Sequence, residues 1–314
     1  MRYLIVGGTS VFAELLTDRL IKKGNTEKVV LTKLPDENGF FRDNIEWYDL
    51  DIRLGEDVNH VVAQAKADVI FDFEGQNSVG YSWREPIETV DINISGTINL
   101  LNAVRDFSSH SRLIVGGSGE EYGGTDFSAI PLREESTPHP NNIYGATKAC
   151  QTMFAKLYHQ AFGLDIIVVR AFYEISVLQD EKFAIPSFCR QFSEMAAGKR
   201  DTVIYAGNLN NSRDFTDVRD LVRAFEAVAE KGRSGEVYNA ARGEATTLLH
   251  IVRILEGLTG IHVTIKADAD RFRPMDAPAV AADVSKIEKD CGWKAEIPLE
   301  DTIEKLLDYW KKKV

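Results

Sequence analysis

Five short runs rich in branched and aromatic residues, at 3–6 (YLIV), 28–32 (KVVLT), 68–73 (DVIFDF), 112–117 (RLIVGG) and 165–172 (DIIVVRAF), punctuate the first part of the chain. Between them lie longer segments with helical apolar spacing, at 14–24, 87–106 and 143–163, two of which close on glycine. Parallel strands need long crossovers, usually helical, so this rhythm admits few architectures. It predicts an α/β fold with a Rossmann-like, doubly wound parallel sheet. Beyond about residue 170 the rhythm gives way to short strands and isolated amphipathic helices, clearest at 216–232 and 299–313. That change predicts a smaller mixed α/β C-terminal substrate domain. The expected division is residues 1–170 with about 214–240 in the dinucleotide-binding domain, and about 171–213 with 241–314 in the second. No repeat or flexible linker separates them, so a shared interface is expected.

The net charge of −11 argues against a nucleic-acid or anionic-membrane partner, whose phosphates would be repelled. Cys150, Cys189 and Cys291 are far apart and lack metal-ligand spacing, which predicts free thiols in a reducing cytoplasm. The six histidines form no metal constellation. No signal peptide or bilayer-spanning apolar run is apparent. The expectation is a soluble cytoplasmic protein without a metal.

Ligands of such sheets bind beyond the carboxyl ends of the strands, and the first strand-to-helix turn normally cradles a phosphate. Here that turn is VGGTSVFAELL, with Gly7, Ser10 and Ala13 where a full fingerprint has three glycines. Serine at the second position puts a side chain where backbone should approach phosphate. After the second strand, Thr32 and Lys33 stand where an acid would select the unphosphorylated ribose. A hydroxyl beside a cation favours NADP(H), with NAD(H) still possible.

The strand at 112–117 leads into GGSGEEYGG, placing Ser118 and Glu120 at the ligand end of the sheet. Downstream, Tyr144 and Lys148 stand four apart at the start of a long helical segment, hence on one face of it. A phenol with a reference pKa near 10 is a poor acid or base at neutral pH, and a neighbouring ammonium lowers that value. The lysine can also hold the nicotinamide ribose, and Ser118 can hydrogen-bond the carbonyl oxygen that Tyr144 serves. Ser118, Tyr144 and Lys148 are therefore the candidate catalytic residues.

These segments, with SVGYSWREP, NISGTINLL, YGATK, GNLNNSRDFTDVRDLVRAF, GEVYN, RPMDAP and GWKAEIPLEDTIEKLLDYW, run in family order along nearly the whole chain. The sequence resembles the extended short-chain dehydrogenase/reductases of the NAD-dependent epimerase/dehydratase family. Within it, the chain is most similar to GDP-4-keto-6-deoxy-D-mannose reductases, with GDP-mannose 4,6-dehydratases as nearest neighbours. The resemblance implies reduction of a nucleotide-sugar 4-keto group, most simply GDP-4-keto-6-deoxy-D-mannose to GDP-D-rhamnose. It implies cofactor contacts from Gly7, Thr9, Ser10, Val11, Phe12, Thr32, Lys33, Asp51, Ile52, Phe73, Glu74, Gly75, Asn93, Tyr144 and Lys148. Substrate contacts are implied for Ser78, Ser118, Gly119, Tyr173, Arg213, Arg273 and Asp276, with Glu120 added to the catalytic set. Family members commonly pair through the helices bearing 87–106 and 143–163, so a homodimer is expected, although Ile98, Leu101, Met153 and Leu157 could equally be core.

Three departures from the family wording stand out. Its HLAAQ run reads DFEGQ here, bringing in Asp72 and Glu74; Tyr173 replaces a substrate-contacting asparagine; and Val177 replaces a proline. A 4,6-dehydratase, in which Glu120 would act as base, a 4-epimerase or 4-dehydrogenase, and a non-catalytic cofactor-binding regulator or scaffold are the competing readings. A scaffold has no need of Ser118, Tyr144 and Lys148 together.

Overall fold

The computed structural model describes residues 1–123, 130–179, 181, 183–268 and 279–314. Seven parallel strands form the central sheet: β1 (Arg2–Val6), β2 (Lys28–Lys33), β3 (Ile45–Asp49), β4 (Val69–Asp72), β5 (Arg112–Ser118), β6 (Ile166–Ala171) and β7 (Val237–Ala240), in the order β7-β6-β5-β4-β1-β2-β3. The order reverses beside β1, which opens a crevice between the carboxyl ends of β1 and β4. Alternate strand residues enter opposite layers. Tyr3, Ile5, Val29, Leu31 and Ile114 pack on one face with α1 (Val11–Lys22) and the helix Val218–Lys231. Leu4, Val6, Val30, Leu113 and Val115 pack on the other, with α2 (Gly55–Ala65), α3 (Gly96–Phe107) and α4 (Ile143–Phe162). Burial on both faces explains why these strands read as apolar runs rather than alternating ones.

The five strands legible in the sequence lie within a residue or two of their expected bounds. Strand β3, helix α2 and strand β7 were not anticipated. β3 is a half-exposed edge strand, and its run IEWYD carries two acids. Helix α2 follows Leu54 without a side-chain cap, so the usual start signal is missing. The segment expected as one helix over 87–106 comprises a turn at Pro86–Val90, a π-helical turn at Asp91–Ser95, and α3.

A second core begins where β6 ends. Ile175, Phe188, Phe192, Ile204, Phe215, Leu255, Ile303 and Leu306 bury one another under the helices Ala184–Ala196, Leu248–Thr259 and Leu299–Lys311. Its strand Tyr173–Ile175 pairs in parallel with Phe215–Asp217. No helix among the described residues is long and apolar enough to cross a membrane.

Candidate active site

At the end of β1 the chain turns through Gly7, whose φ is +81°. A Cβ there would lie 2.7 Å from the Glu74 amide nitrogen. The Gly7 amide donates to Thr32 Oγ1 (3.1 Å) and the Gly8 amide to the Thr32 carbonyl (2.8 Å), which ties the turn to β2. Ser10 caps α1: its hydroxyl accepts from the Ala13 amide (3.2 Å) and donates to the Gly7 carbonyl (2.8 Å). The side chain thus folds back on its own turn, which removes the steric objection to a serine in the fingerprint. The amides of Val11 and Phe12, first in the helix, have no intrahelical acceptor, so this helix end fits the pyrophosphate of a dinucleotide. Phe12 itself packs on Phe73 and Phe225. A Gly7→Ala substitution is expected to destabilise the fold by about 1–2 kcal/mol from the left-handed backbone alone, and to abolish dinucleotide binding by displacing the turn; urea unfolding and NADPH fluorescence titration check this.

The second-strand residues are differently disposed from the expectation. Thr32 is buried, with its hydroxyl occupied by Gly7. Lys33 Nζ donates to Asp49 Oδ1 (2.6 Å) and to the Leu34 carbonyl. Asp51 is gripped by the Arg53 guanidinium, which holds its carboxyl below the usual range, while Ile52 lies under Gly96. Glu37 Oε2 accepts from Thr9 Oγ1 (3.3 Å) and from the Leu34 amide (3.0 Å), bringing a carboxylate to the glycine turn.

At the end of β4, Asp72 is buried, and desolvation pushes its carboxyl up to about 6, opposed by the charge of Lys148. Burial also raises Glu74, to about 7, and the carboxylates of Asp72, Glu37 and Asp51 add to the rise. Gly75 leaves the space that Asn93 Oδ1 and Lys148 Nζ approach. Asn93, buried in the π-helical turn, accepts from the Gln76 amide (2.8 Å) and donates to the Gln76 carbonyl and Thr147 Oγ1. Its polar atoms therefore brace the crevice wall against α4.

Asn142 caps α4 by accepting from the Gly145 amide, which sets Tyr144 and Lys148 in the first two turns. The Tyr144 phenol lies close enough to Ser118, at the end of β5, for the serine hydroxyl to act on it and lower its pKa. Lys148 Nζ donates to the Gly116 carbonyl (2.9 Å). The expectation that Lys148 lowers the phenol's pKa is not met: burial raises it above the ordinary tyrosine value, and Glu120, Glu121 and Glu174 raise it further. The lysine's ammonium turns down towards β5 and Asp72. Burial lowers its own pKa, with Asp72, Glu121 and Glu74 opposing.

Ser118 is fixed by residues that sequence reasoning missed. Glu121 Oε1 accepts from the Ser118 amide (3.0 Å), and Glu121 Oε2 accepts from Thr152 Oγ1 (2.8 Å) and Arg170 Nε (2.8 Å). Arg170 is fully buried; it donates to Tyr122 Oη (2.8 Å) and the Glu134 carbonyl, and Tyr122 donates to Asn239. A lone arginine inside the apolar run IIVVRA was the available signal.

On the substrate side, Ser78 caps the helix Val79–Arg84, Gly119 fits against the Phe172 ring, and Glu120 Oε2 accepts from Asn142 Nδ2 (2.8 Å). The Tyr173 ring packs on Phe215, and the Arg213 guanidinium lies 5.3 Å from its centroid. The neighbouring acids are engaged elsewhere: Asp214 accepts from the Arg242, Gly243 and Ala282 amides, and Asp217 from Arg219 and Thr302. Arg273 and Asp276 lie outside the described residues.

A doubly wound sheet with a glycine turn at its first helix end and a serine, tyrosine and lysine at its carboxyl edge is the framework of a dinucleotide-dependent enzyme of the short-chain dehydrogenase/reductase type. The family profile described as GDP-mannose 4,6 dehydratase matches residues 3–306, and the chain belongs to that family. It is 29% identical over 247 residues to a GDP-6-deoxy-D-mannose reductase of Pseudomonas aeruginosa, covering 79% of this chain and 81% of that one. Among solved structures, RMD from Pseudomonas aeruginosa complexed with NADPH superposes with a TM-score of 0.86 at 25% identity over the full length of both chains. A UDP-glucose 4-epimerase from Thermotoga maritima, solved with UDP-glucose, gives 0.87 at 25% identity, over 100% of this chain and 99% of the other.

Proposed function

We propose that this protein reduces the 4-keto group of a nucleotide sugar with NAD(P)H, and that the substrate is GDP-4-keto-6-deoxy-D-mannose, giving GDP-D-rhamnose. The observation that carries the reading is the nearness of the Tyr144 phenol to Ser118 at the crevice, with Lys148 one turn further along α4. The nicotinamide, when bound, supplies the hydride. Tyr144 holds the proton for the new hydroxyl, and Ser118 orients the carbonyl oxygen between itself and the phenol. Lys148, held from below by the Gly116 carbonyl, presents its remaining donors to the nicotinamide ribose. Arg213, flattened on Tyr173, supplies charge for the diphosphate. A phenol whose pKa is raised is in its proton-donating form at neutral pH, which suits reduction.

Glu120 supports the dehydratase as the second reading, because its charge reaches Tyr144. Product mass separates the cases: reduction of a 4-keto sugar adds two hydrogens, dehydration of GDP-mannose removes water, and epimerisation changes nothing. A product gaining no mass from the 4-keto sugar sinks the reductase reading.

The NADP(H) preference rests on Lys33, which must leave Asp49 to meet a 2′-phosphate. Lys33→Ala is expected to weaken NADPH binding roughly two- to fivefold, as for loss of one partly screened ion pair, and to leave NADH binding unchanged; equal effects on both cofactors remove the preference. The homodimer proposal is supported by α4, where Met153 and Leu157 are 56% and 55% exposed while Leu101 on α3 is core. Three free cysteines suit the proposed cytoplasmic location.

A further inference from the structure

The strand Tyr173–Ile175 leaves β6 beside Ser118 and carries Glu174, whose charge bears on Tyr144. Glu174 Oε2 is buried and has no hydrogen-bond partner among the described residues. The neighbouring carboxylates differ in this respect: Glu120 is engaged by Asn142, and Glu121 by Ser118, Thr152 and Arg170. Tyr173 turns its ring into the second core against Phe215, so on an extended strand the next side chain points the opposite way, to the crevice. Burial pushes the Glu174 carboxyl up to about 7, and no cation among the described residues offsets it. A buried carboxylate oxygen without a partner costs free energy, and it persists where a ligand supplies what the fold does not.

We propose that Glu174 is a specificity-determining residue of the sugar pocket, its carboxylate accepting a hydrogen bond from a ring hydroxyl of the bound nucleotide sugar. This rests on the nucleotide-sugar reading above. Glu174 contributes to recognition of the glycosyl group and nothing to the nucleotide, whose diphosphate lies towards Arg213. Pockets built to bond a hydroxyl discriminate strongly against sugars that lack or invert it, because the carboxylate is then left bare.

The test is the affinity increment that the sugar adds to its nucleotide, measured calorimetrically as the ratio of dissociation constants for GDP against GDP-mannose and for UDP against UDP-glucose, in the wild type and in Glu174→Gln and Glu174→Ala. For the pair that binds, the wild-type increment is expected to fall on the order of tenfold or more in Glu174→Ala, and by less in the isosteric Glu174→Gln, with free-nucleotide and NADPH affinities unchanged. An unchanged increment in both variants overturns the role of Glu174 while the nucleotide-sugar reading stands. Failure of the wild type to bind either nucleotide, with NADPH still bound, overturns that reading and Glu174's role with it.

Discussion

Replacing Tyr144 with phenylalanine is expected to lower turnover of the 4-keto sugar by roughly two to four orders of magnitude, the contribution of a positioned acid. The substitution removes one oxygen. Ser118 keeps its hydrogen bond from the Glu120 amide and its own amide stays on Glu121, so the carbonyl site is still framed. The loss should therefore fall on kcat, with NADPH affinity within a few-fold of the wild type. The phenol's raised pKa adds a pH signature. Its donor form is complete well below that value and is lost as pH rises through it, so reduction should hold across the neutral range and decline only in alkali. Rates within threefold of the wild type, or a fall confined to cofactor affinity, would show that the proton comes from elsewhere.

The second large effect lies behind the site. Arg170→Met is expected to destabilise the protein by about 3–5 kcal/mol, the usual cost of leaving one member of a buried ion pair without the other. Glu121 would remain buried with only the Ser118 amide and Thr152 as donors, and Tyr122 would lose both a hydrogen bond and the guanidinium stacked 4.7 Å from its ring centroid. Adding Glu121→Leu should recover much of the loss in urea unfolding, because the uncompensated charge goes too. It should not recover turnover, since the Ser118 amide then loses its acceptor. A single variant within 1 kcal/mol of the wild type would mean that the pair is not the anchor its burial suggests.

The contrast between these two sites shows which features a sequence exposes. The strands flanking the crevice were legible because each is buried on both faces and written in branched apolar residues, whereas β3, half-exposed at an edge and interrupted by two acids, carries no such mark. The Tyr144–Lys148 spacing correctly predicts a shared helix face. It does not reveal that the lysine reaches past the phenol to the Gly116 carbonyl, which is why the expected lowering of the phenol's pKa is absent. Ser10 looked like an obstruction because its hydroxyl was imagined pointing at phosphate, and capping α1 is a choice only the backbone geometry discloses. In GSGEEYG two adjacent glutamates are indistinguishable by pattern; the three-residue 3₁₀ turn Gly119–Glu121 sends Glu121 inward to Arg170 and leaves Glu120 at the crevice. Long-range partners such as Asp72 and Lys148, brought together by sheet order, leave no local trace at all.

Hydride transfer to the sugar is tested most directly with the purified protein, GDP-4-keto-6-deoxy-D-mannose and NADPH carrying deuterium at the transferable position of the nicotinamide, followed by mass spectrometry of the sugar product. Deuterium on the sugar carbon that bore the ketone, in step with the loss of reduced-nicotinamide absorbance and missing with Tyr144→Phe, is the predicted result. A product without the label, or NADPH left unconsumed by the active protein, would contradict the assignment of this site as a nucleotide-sugar 4-ketoreductase.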